Sequence, residues 1–494
     1  MERTEVAHYG PNGMSTKYLT LIQQNDTHAQ LEIHSELFWK NGQPVYRRCG
    51  GFARIATVCK RIRSEAKGEC LFIDCGDAIH GTAVAQWSEG AALVPPLNAL
   101  GIDFLTPGNW EFGFGAEVLR KRVSEMSFPV LACNVELADT GQLQFIPTAI
   151  REVGGVRVGL IGITSPIVTE RMPKPFGLGL RFSDPLDTLP SYISELRTKE
   201  HAEIVVLISH LGLAQDMELV HKVEGIDVIL SGHTHDRLSE PVVIGKTVLM
   251  QSGFSGSFLG QLDLEVSNRQ VTHYHHKLVE VTEATAADGE VESIINKLVN
   301  PHRERLREVV GHTSTPLHRM TVLESPMDNL LTDAYRDLTQ TDVAFSHGWR
   351  YGVPIVPGSI TEEDLWQMVP TNPELFTAEM TGEQIRQTIE QSLNSVYAGE
   401  ALRQKGGYPI RFSGLSAVVR LNNPKGARVA QLDIAGNPYS PDRLYTITAA
   451  GEQDIKHAGN KRSVGTNAVG ALRLYLQKHS PVAPQLTYAK LVTI

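Results

Sequence analysis

Seven side chains able to bind metal fall in five short segments of the chain. They are Asp26 and His28 in QNDTH, Asp77 in CGD, Asn109 in GNW, His210 after VVLIS, and His233 and His235 in SGHTH. Carboxylate, imidazole and amide oxygen together suit Mn, Zn or Fe, and no thiolate belongs to the set. Each piece alone is weak, because a D-x-H or H-x-H is usually a surface turn and a lone histidine is usually a satisfied core residue. Five segments that nearly all close an apolar run are hard to produce by chance. Jointly they read as a centre for two divalent metal ions that hydrolyses its substrate with an activated water.

Such ligands need strand ends to hold them. Apolar runs at 19–23, 70–74, 103–106, 156–163, 204–209 and 228–231 read as strands, and 52–66 and 187–199 carry apolar residues at helical spacing. This alternation is the α/β signature. Asp26 with His28, and His233 with His235, are two apart, so on extended strand ends each pair projects to one side. Strand C-termini open on the crevice where open α/β sheets bind ligands. Residues 245–276 alternate and carry glycines, which predicts antiparallel strands closing the sheet.

Residues 281–305 turn acidic and then helical, which predicts a helical linker between a catalytic domain, 1–280, and a second domain, 306–494. The second domain reads as α+β, with helices over 328–338 and 382–392 and a hairpin of 417–421 with 429–434. At 494 residues two domains are the expectation. Apolar content of 41% with 20% charged residues fits a globular enzyme, and a net charge of −9 argues against a nucleic-acid polymer as partner. Five cysteines, Cys49, Cys59, Cys70, Cys75 and Cys133, have no paired spacing, which favours a reducing compartment. The N-terminal residues lack a charged-then-apolar leader pattern, and no stretch approaches a membrane span, so a cytoplasmic protein is expected, or a periplasmic one if the chain is processed or exported atypically.

The ordered ligand set resembles the calcineurin-like metallophosphoesterase superfamily, and within it the two-domain 5′-nucleotidase family. The resemblance implies a four-layer αββα sandwich followed by an α+β substrate-binding domain. It implies two divalent metal ions, one held by Asp26, His28 and His235, the other by Asn109, His210 and His233, with Asp77 bridging. A small-molecule phosphate, a nucleotide or a relative, is the implied substrate.

One motif departs from the family. Where it reads Gly-Asn-His-Glu-Phe-Asp, this chain has Gly108-Asn109-Trp110-Glu111-Phe112-Gly113, so a catalytic His and its Asp partner are both missing. General acid catalysis is typically worth about 10²–10⁴-fold, most for poor leaving groups. His80 in GDAIHGT and His347 are the candidate replacements. The Trp is similar to the thiosulfohydrolase branch of the sulfur-oxidation pathway, as are DTHAQL, GFARIATV, FSHGWRYG and QKGGYPIRFSG. That branch implies a different substrate, a cysteine S-thiosulfonate on a carrier protein. In the second domain, Arg350 matches an arginine that contacts the substrate anion, and Arg411 and Tyr408 are further candidates for substrate binding. Pro409 stands where the family stacks an aromatic on the base, and 449–463 lacks the Gly-Gly-Asp-Gly turn beside the second one.

Overall fold

A computed structural model describes residues 16–452, 455–484, 486 and 490–493. Most of the leader expectation, and part of 449–463, lies outside the described residues. The chain condenses into two compact units. One comprises the residues through 33 with 49–80 and 89–296. The other comprises 297–494 together with 34–48 and 81–88.

In the first unit a five-stranded sheet runs in the order Gln270–Glu280, Phe258–Ser267, Lys17–Gln24, Glu69–Asp74 and Phe104–Leu105. A six-stranded sheet runs Val242–Ile244, Thr247–Met250, Val228–Ser231, Ile204–Ser209, Val156–Ile163 and Thr148–Val153. Side chains alternate between faces along a strand. Leu19, Leu21, Leu71 and Ile73 therefore meet Val158, Leu160, Val206, Ile208 and Leu230 between the sheets. On the far face of the second sheet, Ile161, Val205, Leu207 and Ile229 pack on Leu189, Ile193 and Leu196 of helix Pro185–Thr198 and on Leu219 of helix Leu213–Lys222. Helix Phe52–Glu65 packs against strand Glu69–Asp74 of the first sheet. This is the αββα layering. Strands such as Ile204–Ser209 are buried on both faces, which is why they read as unbroken apolar runs.

The region 245–276 divides between the sheets, contrary to the expectation of one antiparallel set. Thr247–Met250 joins the six-stranded sheet, parallel to Val228–Ser231, while Phe258–Ser267 and Gln270–Glu280 form the antiparallel edge of the other. The crossing loop uses Gly253 and Gly256 at φ 79° and 67°. It also buttresses the first ligand segment, with Ser255 N donating to Asp26 O at 2.8 Å. The expected linker is helix Gly289–Val299, a turn at Asn300–His302 and helix Arg303–Leu306, with the division between units falling inside the first helix.

The second unit is built on a sheet ordered Arg411–Ser413, Val343–Ser346, Leu444–Ala450, Glu374–Thr381 and Gly459–Asn467. The hairpin of Leu415–Val419 with Val429–Ile434 and helix Gly382–Val396 share its core, and helix Pro326–Thr339 packs against Val343–Ser346. Capping boxes start the helices after Thr361 and Thr381. Among the described residues no helix is long and apolar enough to cross a membrane. None of the five cysteines is in a disulfide.

Candidate metal centre

All seven expected ligands lie in the first unit, each just beyond the C-terminal end of a strand. Two trios of ligand atoms converge, each within 4.8 Å: Asp26, His28 and His235, then Asp77, His210 and His233. Asn109 joins the second trio, its Oδ1 3.3 Å from His210 Nε2.

The local backbone corrects one expectation. Five of the seven are not on extended strand ends but at positive φ: Asp26 at 51°, His28 at 47°, Asp77 at 57°, His233 at 73° and His235 at 63°. Side-chain parity therefore does not aim these pairs; left-handed turns do. Non-glycine residues held in this region cost of order 1 kcal/mol or more each, so such a cluster marks a site whose geometry outranks local comfort.

The turns are fixed by hydrogen bonds. Asp26 Oδ2 accepts from His233 N at 2.8 Å and Asn25 Nδ2 at 2.7 Å. Asp77 Oδ1 accepts from Trp110 N at 2.8 Å. His210 Nδ1 donates to Cys75 O at 2.5 Å, which leaves Nε2 facing Asp77 Oδ2 at 3.3 Å and Asp26 Oδ1 at 3.9 Å. His28 Nε2 lies 3.0 Å from His235 Nε2, and His235 Nε2 lies 3.3 Å from Asp26 Oδ1.

This arrangement fits divalent cations. Asp26 Oδ1 is fully buried and accepts no hydrogen bond, while two imidazole Nε2 atoms are held face to face. Burial alone would lower the His210 pKa, but Asp77 and Asp26 outweigh it and raise the ring to about 10. Burial would raise Asp26, yet His235, His210 and His28 hold it well below the usual carboxylate range. Burial and the neighbouring His235 lower His28 to about 4, so that ring offers a lone pair rather than a proton at neutral pH. The two carboxylates thus draw positive charge to the His210 Nε2 position, whether a proton or a metal ion brings it.

One supporting residue was not among the expected site residues. Glu111, 1% exposed, accepts four backbone N–H groups: Asp77 N at 2.8 Å, Ala78 N at 2.6 Å, Ile79 N at 3.2 Å and Gly108 N at 2.6 Å. Burial and the charge of Asp77 raise its carboxyl to about 6 against the pull of those donors. The one trace in the sequence is an acid set between the aromatics Trp110 and Phe112.

Gly108 is required for space. A Cβ there would stand 2.6 Å from both Asp77 N and His210 Cε1, and against the Asp77 carboxylate. Gly108→Ala should therefore cut hydrolysis by at least about 10²-fold with loss of bound metal, since a misplacement near 1 Å costs that much. Metal analysis beside the rate checks this, and full metal content at wild-type rate would refute it.

At the altered motif, the His80 ring stacks on Trp110 at 4.6 Å between ring centres and lies 5.3 Å from Phe114, with Phe176 edge-on to Trp110 at 5.9 Å. A Cβ at Gly113 would be 3.1 Å from His80 Cδ2 and 3.6 Å from Phe176 Cε2. His80 thus fills the room a side chain at 113 would need.

The remaining expected residues lie in the second unit. Arg350 is half-buried, and its neighbours Trp349 and Tyr351 stack at 5.3 Å. Arg411 is 3% exposed; its Nη2 donates to Thr321 O at 2.9 Å and its Nε lies 3.3 Å from Asp328 Oδ2. Asp328 also pairs with the buried Arg319 at 3.0 Å. Two guanidiniums therefore share one carboxylate, and Arg411 Nη1 has no hydrogen-bond partner. The Arg411 guanidinium lies 5.0 Å from the ring of Tyr408.

The chain matches two family models, calcineurin-like phosphoesterase over residues 19–237 and the 5′-nucleotidase C-terminal domain over 309–451. It is 26% identical to human 5′-nucleotidase over 523 residues, covering 94% of this chain and 89% of that protein. It is 25% identical over 501 residues to the trifunctional nucleotide phosphoesterase YfkN of Bacillus subtilis, covering 91% of this chain but only 32% of that protein. Among solved structures, a 5′-nucleotidase precursor from Thermus thermophilus superposes with a TM-score of 0.85 at 25% identity, covering 97% of this chain and 99% of that one. The sulfate thiohydrolase SoxB of Thermus thermophilus shares the fold, with a TM-score of 0.90 at 24% identity over 99% and 98% of the two chains. With the site geometry, these likenesses identify the chain as a metal-dependent hydrolase that belongs to the calcineurin-like phosphoesterases with a 5′-nucleotidase C-terminal domain.

Proposed function

We propose that this protein hydrolyses small phosphate esters or anhydrides, nucleotides or their relatives, at a pair of divalent metal ions. The two converging trios of ligand atoms carry the reading. One ion would be held by Asp26, His28 and His235 and the other by Asn109, His210 and His233, with Asp77 serving both. Mn, Zn and Fe all suit this donor set. When bound, such a pair supplies a lowered water pKa and positive charge on the attacked group.

The protein's own groups do the rest. Glu111 sets the two ligand loops, and the Cys75 carbonyl orients His210. His80, held against Trp110, is the imidazole left to donate a proton on the leaving-group side. Residues through about 280 would form the catalytic domain and those from about 306 the substrate-binding domain. There Arg350 would grip the substrate anion as a bidentate donor, with Arg411 and Tyr408 in support.

A second reading is favoured by Trp110 and Gly113. Without the usual His–Asp pair, a better leaving group is the natural substrate, and a thiol, pKa about 8.5, is one. The alternative substrate is then an S-thiosulfonated cysteine on a carrier protein. Water attacks the terminal sulfonate sulfur and the S–S bond to it breaks. Sulfate is released, and the sulfur leaving group stays on the carrier as a cysteine persulfide.

The deciding experiment is Mn-dependent anion release from AMP, UDP-glucose and a thiosulfonated cysteine peptide, measured side by side. Phosphate from either nucleotide is expected. Sulfate from the peptide with no phosphate would replace the first reading by the second.

A further inference from the structure

Away from the metal centre, the edge of the five-stranded sheet carries another set of metal-binding side chains. In the antiparallel pair Phe258–Ser267 and Gln270–Glu280, Asp263 stands opposite His275 and Glu265 opposite His273. Leu262, Leu264 and Val266 point into the inter-sheet core, so the four polar groups share the other face. They line one groove of about 380 Å³, with Tyr18 and Lys67 on its walls.

Asp263 is already set as a ligand would be. Its Oδ1 accepts from Thr20 Oγ1 at 2.6 Å, and Gln261 Nε2 reaches Oδ1 at 3.2 Å and Oδ2 at 3.0 Å. Hydrogen-bonded support of this kind orients metal-binding carboxylates. His275 Nδ1 lies 3.5 Å from Asp263 Oδ2. Two bonds of about 2.1 Å meeting at a tetrahedral angle place their ligand atoms about 3.4 Å apart, so that gap already suits one cation. His273 and His275 are exposed, and Glu265 is half-buried. His273 and Glu265, the adjacent cross-strand pair on the same face, are the groups that would complete the set.

We propose that His273 and His275, with Asp263 and Glu265, form a peripheral site for a divalent transition-metal ion such as Zn²⁺, Ni²⁺ or Cu²⁺. Two imidazoles and two carboxylates give the ion four ligands of the type it selects. The bound ion clips the edge strand to its neighbour, and it stabilises the fold by mass action without touching the hydrolytic centre.

The test counts Zn²⁺ retained per chain after equilibrium dialysis of the intact protein against micromolar Zn²⁺. Wild type is expected to keep one more equivalent than H273A/H275A, with hydrolysis unchanged. H275A alone should weaken that uptake at least tenfold. D263N, an isosteric change that still accepts from Thr20, should also lower it, which covers the case of a double variant that folds poorly. Equal counts in wild type, H275A and D263N would overturn the proposal. Only the difference between chains that share the hydrolytic centre is read, so the outcome does not depend on the function assigned to that centre.

Discussion

Asp77→Asn should reduce hydrolysis by at least about 10³-fold while leaving the fold intact. The asparagine can still accept from Trp110 N, because only one oxygen is needed there. The Oδ2 side is different. It faces His210 Nε2 at 3.3 Å in a fully buried setting, and an amide NH₂ in its place brings a donor and no charge to the spot where cations are to be neutralised. Charge stabilisation by a metal pair is worth several kcal/mol, and each 1.36 kcal/mol is a decade of rate. Metal content should fall together with rate, with a far-ultraviolet spectrum like that of wild type. A variant within tenfold of wild type would remove Asp77 from the centre.

The second large effect is expected at a residue that contacts no metal. In Glu111→Gln, one carboxylate oxygen becomes an NH₂. Oε1 accepts from Ala78 N and Ile79 N, and Oε2 from Asp77 N and Gly108 N. Whichever way the amide is turned, two backbone donors meet a donor. Each buried N–H left unmatched costs about 1–3 kcal/mol. The midpoint of thermal unfolding should therefore fall by several degrees, and hydrolysis by about 10²-fold as the Asp77 and Asn109 loops separate. Thermal unfolding and steady-state rates measured on the same preparation decide it. An unchanged rate in a destabilised variant would make Glu111 a structural residue only.

Much of this was legible in the sequence, for identifiable reasons. Strands Ile204–Ser209 and Val228–Ser231 are buried on both faces, so their apolar runs are closed only by a terminal serine, and Val156–Ile163 is broken only by Arg157 near its start. Residues 103–106 shrank to Phe104–Leu105, because only two residues there pair along the sheet edge. The strands of 245–276 were visible, but alternation does not say which of two stacked sheets a strand joins. The ligand residues were legible by type and order. Their left-handed backbone was not, since Asp26, His28 and His235 have no glycine partner announcing it. Glu111 was hidden because its four partners are main-chain groups, and main chain leaves no mark in sequence. The inclusion of 34–48 and 81–88 in the second unit depends on tertiary packing that no local pattern encodes.

The spread of the ligands along the chain has a consequence for biosynthesis. The first is Asp26 and the last His235, and the strand carrying Asp26 pairs with Phe258–Ser267, which is made later still. A nascent chain that has emerged only as far as residue 200 holds carboxylates and imidazoles but no pocket. Its exposed Asp-x-His segment cannot select one cation over another. Metal capture thus waits until more than half of the polypeptide has left the ribosome. The ion that enters is then chosen by the finished cavity and by what the surrounding compartment supplies at that moment.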